Sequence, residues 1–294
     1  MIFKPRAISK LRIAPPDPTP DRAGLAIAFT TQNEAAHIAE WARFHRAVGV
    51  DHFVVYDNGS VDGTVDALIA AVGAERVTHM PWHQKLFDAR RGAEIHNQVL
   101  CFAHAVRNFG GRFRWLAFID VDEFLVPRDG AMVPDILRDL GGFGCLSLPW
   151  QMFGRAGHDT PPEGGTLRNY LMRNADPLAT PRVLKFKCIV DATRVTAVQV
   201  HAFEIDGQAR GINDVGVEAA HAKRASVGFV SDARLALHHY YTRSDAELRA
   251  KIARGSNKIV RADKHAARVW ANVDAIERDV VEDRSALDIL NRSA

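Results

Sequence analysis

The sequence has few cysteines and no long apolar run, and each shortage excludes a class of protein. Its 294 residues include only three cysteines, which lie far apart in apolar surroundings: Cys101, Cys145 and Cys188. This number and spacing suit neither a disulfide framework nor a zinc site, so we expect reduced thiols in a cytoplasmic protein. No segment approaches the ~20 consecutive apolar residues of a transmembrane helix, and the first residues lack the apolar core of a signal peptide. We therefore expect no transmembrane segment, an expectation that still allows peripheral contact with the inner face of a membrane.

The net charge of the chain is also small. Lys and Arg number 38 against 35 for Asp and Glu, which gives a formal net charge of +3. An excess this small does not indicate a nucleic-acid partner, whereas binding of phosphates needs only local positive charge. The apolar content of 47% and the charged content of 25% are those of an ordinary globular protein.

The first half of the chain alternates apolar strands with amphipathic helices. Apolar runs predict strands at 25–30, 52–57, 76–82 and 115–120. Helical spacing of apolar residues predicts helices at 34–48, 65–72 and 89–109. Such alternation predicts parallel βαβ units, in which ligands bind beyond the carboxyl ends of the strands.

The second half has a different pattern. Residues 144–150 and 235–241 predict strands, and shorter alternating segments at 167–172, 183–190 and 195–203 favour antiparallel pairing. Residues 204–231 have the composition of a long surface loop. Ser244 and Glu247 form a capping box that predicts a helix after it.

These patterns divide the chain into three parts. We predict a flexible amino-terminal arm at 1–22, one α/β domain at 23–262, and a carboxyl-terminal helical segment at 263–294. Within the domain, 23–126 would bind a nucleotide and 127–243 would bind an acceptor, on a mostly parallel sheet with a mixed extension.

The stretch WLAFIDVDEFLVP places clustered negative charge directly after a buried strand. Asp120 and Asp122 share one face if the segment is extended, so both carboxylates can converge on one cation. Oxygen ligands favour Mg²⁺ or Mn²⁺, which usually complete their shells with substrate phosphates. Two alternatives are a solvated acidic loop and a phosphatase of the haloacid-dehalogenase type. The second is disfavoured by Phe124, which stands where those enzymes usually have Thr or Val.

Other stretches carry a resemblance to a known family. The chain contains T-x-NEA, EW-x-x-FH-x-x-x-GVDHF, V-x-YDNGS-x-DGT and FIDVDEFLVP in this order, followed by PW-x-x-FG-x-x-G, KFK-x-IV and HYYTRS-x-x-E-x-x-x-K. Together they resemble glycosyltransferase family 92 and the related family 2 group, over roughly residues 25–260. The resemblance implies a GT-A (Rossmann-like) fold and a nucleotide-sugar donor. The YDNGS stretch, taken alone, would be only a turn between a strand and a helix.

The resemblance also implies roles for individual residues. Thr31, Asn33 and Glu34 would lie near the nucleoside, and Asp57 would recognise uracil. Asp120 and Asp122 would hold Mn²⁺ or Mg²⁺ against the diphosphate, and His239, rather than its neighbour His238, would complete the metal shell. Arg91, with Arg90 beside it, would offset diphosphate charge.

The acceptor side is predicted less directly. An inverting transferase needs a carboxylate that deprotonates the acceptor hydroxyl, and Asp159 is the first candidate, with Glu163 second. Trp150 and Phe153 are candidates for stacking on a sugar ring, and core packing is their alternative role. The predicted activity is metal-dependent, inverting transfer of a hexose such as galactose or glucose, from UDP rather than GDP, to a glycan, glycolipid or glycoprotein. The remaining alternative is a non-catalytic carbohydrate-binding protein.

Overall fold

A computed structural model describes residues 6–254 and 262–293 of the chain. The strands are β1 (Leu11–Arg12), β2 (Leu25–Thr31), β3 (His52–Asp57), β4 (Val77–Pro81), β5 (Trp115–Phe118), β6 (Glu123–Pro127), β7 (Cys145–Met152), β8 (Met172–Asn174), β9 (Phe186–Val190), β10 (Val195–Val198), β11 (Phe203–Ile205), β12 (Arg210–Ile212), β13 (Glu218–Ala220), β14 (Leu235–His239) and β15 (Val280–Glu282). The helices are α1 (Ala35–Ala47), α2 (Thr64–Val72), α3 (Asn97–Phe109), α4 (Val133–Asp139), α5 (Thr166–Asn169), α6 (Asp245–Arg254), α7 (Ala262–Glu277) and α8 (Ser285–Ser293).

One large sheet organises the domain, in the order β13-β12-β7-β9-β5-β2-β3-β4. β2 pairs in parallel with β3 and β5, and β3 with β4. β9 runs antiparallel between β5 and β7, and β14 joins the sheet through β7 and β6. The predicted class, a mostly parallel α/β sheet with a mixed extension, is confirmed.

Both faces of the parallel half are covered. Alternate residues of β2 enter different cores, because successive side chains of a strand point to opposite faces. Ile27 and Phe29 pack in one core with α1 and α2, while Ala26 and Ala28 pack in the other with α3. Small alanines on that second face leave room for the bulky residues of α3, such as Phe102.

The helix predicted at 89–109 begins only at Asn97. Residues 88–93 instead form a compact turn, in which Asp88 accepts a hydrogen bond from the backbone of Arg91 at 2.7 Å. Gly92 has a φ of +60°, which lies outside the right-handed helical region. The apolar spacing was therefore right for the second part of the segment and wrong for the first.

The strand predicted at 167–172 is also wrong, since α5 occupies its first part and β8 follows. The carboxylate of Glu40 caps α5 by accepting hydrogen bonds from the backbone N–H groups of Thr166 and Leu167, at 2.7 and 3.1 Å. A capping group 126 residues away in sequence leaves no local signal. The predicted loop at 204–231 contains the end of β11 and the hairpin of β12 and β13.

The described part of the amino-terminal arm lies against the domain. β1 pairs with β10, and Arg22 donates two hydrogen bonds to the carboxylate of Asp191, at 2.7 and 2.9 Å. The carboxyl-terminal segment contains α8 and β15, and β15 pairs with β8. The division into arm, domain and carboxyl-terminal segment stays a prediction. Within the described ranges, no helix has both the length and the apolarity needed to cross a bilayer.

Candidate functional site

A cleft opens beyond the carboxyl ends of the parallel strands. Asp57 is the last residue of β3, and Asp120 follows β5 at the same edge, because both strands run parallel to β2. The cleft has a volume of about 630 Å³. Its walls come from the end of β2 and the start of α1, the turn after β5, Trp150 of β7, the segment 239–243 and the inner face of α6. Three of the sequence motifs therefore meet at one place.

The D-x-D segment is a turn and not the extended segment that was predicted. The backbone N–H of Glu123 donates to the carbonyl oxygen of Asp120 at 3.0 Å, which closes the turn between β5 and β6. In return, the side chain of Glu123 accepts a hydrogen bond from the backbone of Asp120 at 2.7 Å. The turn directs the carboxylates of Asp120 and Asp122 toward two different lysine side chains.

Asp120 is fixed by a buried lysine. Its Oδ2 lies 2.7 Å from Nζ of Lys187, and its Oδ1 accepts a hydrogen bond from Gln98 at 2.8 Å. The Lys187 side chain is only 1% exposed. Burial opposes its charge, but the pKa of Lys187 is raised overall, and the Asp120 carboxylate is the largest cause of that rise. Burial raises the pKa of Glu123 well above its usual range, so Lys187 and Asp120 form the charged pair.

Asp122 has two partners on the other side of the turn. Its Oδ2 lies 3.2 Å from Nζ of Lys251 and 3.4 Å from Nε2 of His239. Burial would raise the pKa of Asp122, but Lys251 and His239 together hold it well below its usual value. Burial lowers the pKa of His239, which keeps a lone pair on its imidazole. His238 points elsewhere and lies 3.5 Å from Asp283.

Asp122 and His239 are the side chains of the D-x-D turn and its surroundings that could hold a divalent cation. Within the described residues, no group of three or more His, Cys, Asp or Glu side chains is arranged to hold a metal ion. Asp122 and His239 are nevertheless 3.4 Å apart, close to the roughly 3 Å that separates neighbouring ligands of an octahedral Mg²⁺ or Mn²⁺. The two residues therefore fit a cation that takes its other ligands from phosphates and water.

Three of the four residues expected near the nucleoside line the cleft, and the fourth does not. Thr31, Asn33 and Glu34 line the cleft, and the Thr31 hydroxyl is buried with no hydrogen-bond partner in the described structure. The Asn33 side chain accepts a hydrogen bond from the backbone of Val61 at 2.9 Å, which joins the two loops. Asp57 accepts a hydrogen bond from the backbone N–H of Ser60 at 2.9 Å and is not part of the cleft lining. Its observed role is that of a turn residue.

Other candidates do not reach the cleft. Arg90 and Arg91 are exposed on the segment before α3. Asp159 and Glu163, the candidates for the catalytic base, are exposed on the loop after β7. The backbone carbonyl of Asp159 accepts a hydrogen bond from the backbone N–H of Ala246 at 2.9 Å, so this loop lies against the first turn of α6, and neither carboxylate is among the residues that line the cleft.

Two positively charged side chains that line the cleft, Arg243 and Lys251, were not among the predicted site residues. Arg243 lies 3.2 Å from the Glu34 carboxylate, and its Nε is buried without a hydrogen-bond partner in the described structure. Lys251 is the second. A signal was present in HYYTRS-x-x-E-x-x-x-K, because positions 247 and 251 share one face of a helix and Arg243 comes directly before its cap.

Trp150 and Phe153 differ in exposure to the cleft. The Trp150 ring lines it and packs against the rings of His239 and His201, with centroid distances of 4.3 and 5.4 Å. Phe153 is fully buried and stacks on Tyr240, so it belongs to the core.

Comparison with known proteins agrees with the sequence motifs. The sequence model of glycosyltransferase family 92 matches residues 25–223. A family 92 protein of Oryza sativa subsp. japonica is 27% identical over 178 residues, which cover 56% of this chain and 29% of that protein. Another, of Ricinus communis, is 26% identical over 214 residues, which cover 68% of this chain and 36% of that protein. The chain thus spans about a third of the length of these relatives.

Similarity to solved structures is low. Glucosyl-3-phosphoglycerate synthase from Mycobacterium tuberculosis, in complex with Mn²⁺, UDP and glucosyl-3-phosphoglycerate, is 18% identical, with 58% of each chain covered and a TM-score of 0.32. The same synthase with Mn²⁺, UDP-glucose and phosphoglyceric acid gives a TM-score of 0.31 at 18% identity and the same coverage.

Proposed function

We propose, since the chain belongs to glycosyltransferase family 92, that it transfers a hexose from a nucleotide sugar to a glycan, glycolipid or glycoprotein acceptor. The observation that supports this most is the cleft itself. It joins the T-x-NEA segment, the D-x-D turn and the segment HYYTRS at the edge of the sheet where α/β proteins bind ligands.

The donor's diphosphate would lie between the D-x-D turn and α6. Arg243 and Lys251 supply N–H donors there, and guanidinium and ammonium groups are the usual partners of phosphate oxygens. Asp122 and His239 would hold a divalent cation, Mn²⁺ or Mg²⁺. When bound, such an ion acts as a Lewis acid that stabilises negative charge on the leaving diphosphate. Asp120, already paired with Lys187, would orient the turn.

The nucleoside would occupy the side of the cleft formed by β2 and α1. Thr31 offers a buried hydroxyl with no hydrogen-bond partner in the described structure, and Glu34 is a carboxylate acceptor on the same wall. We propose UDP as the nucleotide, on the resemblance of the YDNGS segment. Asp57 would then have to act through the loop it stabilises, because it does not line the cleft.

The acceptor would approach along Trp150. Aromatic walls with a few polar groups are typical of small-molecule sites, and the Trp150 indole N–H is buried without a partner in the described structure. Inversion at the anomeric carbon follows the family resemblance, and the configuration of the product tests it. Neither Asp159 nor Glu163 is placed to act as base in this arrangement.

Binding experiments test this proposal against its alternatives. UDP, GDP and their hexose conjugates are titrated into the full chain with and without Mn²⁺ by calorimetry. We expect UDP to bind in the presence of Mn²⁺, and UDP-hexose to be slowly hydrolysed without an acceptor. Absence of binding by every nucleotide would contradict the proposal and favour a carbohydrate-binding protein. Hydrolysis of a simple phosphate ester, lost in Asp120→Asn, would favour the phosphatase, which family membership otherwise argues against.

A further inference from the structure

Two lysines neutralise the D-x-D turn, and they differ in their freedom to move. Lys187 comes from the middle of the sheet, on β9, and its side chain is 1% exposed. Lys251 comes from α6, lines the cleft and is 35% exposed. Its ammonium contacts Asp122 at 3.2 Å, donates to the carbonyl oxygen of Tyr241 at 3.0 Å, and lies 4.2 Å from the centre of the Tyr241 ring.

The Asp122 carboxylate can pair with either of two positive charges, the Lys251 ammonium or a bound divalent cation. A divalent cation between Asp122 and His239 would lie beside the Lys251 ammonium, because the lysine and the histidine both approach the same Oδ2 atom. Two positive charges side by side repel each other strongly wherever water is partly excluded. The lysine must therefore leave Asp122 before a cation can bind tightly there.

Only one of the two lysines can make that movement. Lys187 is buried and does not line the cleft, so we expect its ammonium to remain paired with Asp120. Lys251 has a flexible four-carbon stem, and its head already faces the cleft where the diphosphate would bind. Arg243 is less free, because it is nearly buried and paired with Glu34.

We propose that Lys251 exchanges partners when the donor binds, releasing Asp122 to the cation and binding the diphosphate itself. This inference rests on the proposed function. The charges then balance, since Asp122 and a doubly negative diphosphate offset the divalent cation and Lys251. The cation and the nucleotide would consequently bind with positive coupling, each raising the affinity for the other by the same factor.

The test compares Lys251→Met with the wild-type chain and with Arg249→Met. Arg249 lies on the same helix, is exposed, pairs with Asp245 and does not line the cleft, so it is the matched control. Binding of free Mn²⁺ is followed by the electron paramagnetic resonance signal of the unbound ion, with and without UDP. UDP affinity is measured by calorimetry, and thermal unfolding confirms that the variants fold.

We expect Lys251→Met to bind free Mn²⁺ at least about threefold more tightly, because a partly exposed competing charge has been removed. The same variant should bind UDP more weakly in saturating Mn²⁺, so the coupling factor between the two ligands decreases. Lys251→Arg should retain the coupling, and Arg249→Met should match the wild type.

The outcomes separate this inference from the function it rests on. If the wild-type chain does not bind UDP in the presence of Mn²⁺, the proposed function itself fails. If the wild type binds both ligands, but Lys251→Met has unchanged or weaker affinity for free Mn²⁺ and an unchanged coupling factor, the exchange of partners is refuted and the function stands.

Discussion

Replacing Asp120 by Asn should destabilise the fold as well as the site. The substitution leaves the Lys187 ammonium buried, at 1% exposure, without its partner at 2.7 Å. Breaking a fully buried pair in this way costs about 3–5 kcal/mol. Asp120 is 34% exposed, and Glu123 lies 3.7 Å from Lys187 and can ionise once the Asp120 charge is gone. These two features lower the expected loss to about 2–3 kcal/mol.

Calorimetric unfolding measures this loss directly. A loss of that size corresponds to a decrease in Tm of about 4–8 °C for a domain of this size. The double variant Asp120→Asn with Lys187→Met should recover most of the loss, because removing both charges leaves no unpaired ammonium. Asp122→Asn is the matched control, since its partner Lys251 is partly exposed, and it should cost at most about 1 kcal/mol. A Tm of Asp120→Asn within about 1 °C of the wild type would refute this reasoning.

Three further predictions concern single side chains. His45 is buried, and burial lowers its pKa to about 3; since the folded state then binds fewer protons, stability is lost as pH falls below about 6.5, by up to about 1.4 kcal/mol per pH unit. Urea midpoints at pH 7 and 5.5 should show this loss, and His45→Gln should reduce it. Asp122→Ala should abolish transfer at any Mn²⁺ concentration, whereas excess Mn²⁺ should partly restore His239→Ala, because water can replace a neutral ligand. Asp159→Asn should transfer at the wild-type rate, and a loss of turnover with normal UDP binding would return it to the role of base.

The parallel half of the fold was predictable because its signals are local. Strand β3 was predicted with its observed ends, since the residues FVVY between His52 and Asp57 are apolar or aromatic and a glycine-containing turn follows. The capping box of Ser244 and Glu247 is also observed: the Glu247 carboxylate accepts from the backbone N–H of Ser244 at 3.0 Å, and the Ser244 hydroxyl oxygen accepts from the backbone N–H of Glu247 at 3.3 Å. Patterns of this kind need only neighbouring residues, so a single sequence is enough to read them.

The charges of the site were less predictable because they come from distant segments. Asp120 is paired with a lysine 67 residues later, and Asp122 with one 129 residues later. The sequence indicated that clustered carboxylates need positive charge, but the arginines predicted to offset charge in the site, Arg90 and Arg91, are exposed elsewhere. Lys187 left one faint signal, as a lone charge inside the buried strand FKCIV. A buried lysine needs a carboxylate, and Asp120 is the one that the fold supplies.

A crystal structure with UDP and Mn²⁺ tests the central claim most directly. The account predicts Mn²⁺ between Asp122 and His239, the diphosphate against that ion with Lys251 turned toward it, and the nucleoside along Thr31 and Glu34. Anomalous scattering at the manganese edge identifies the ion independently of the nucleotide. Nucleotide bound outside the cleft, or manganese bound away from both Asp122 and His239, would contradict the account.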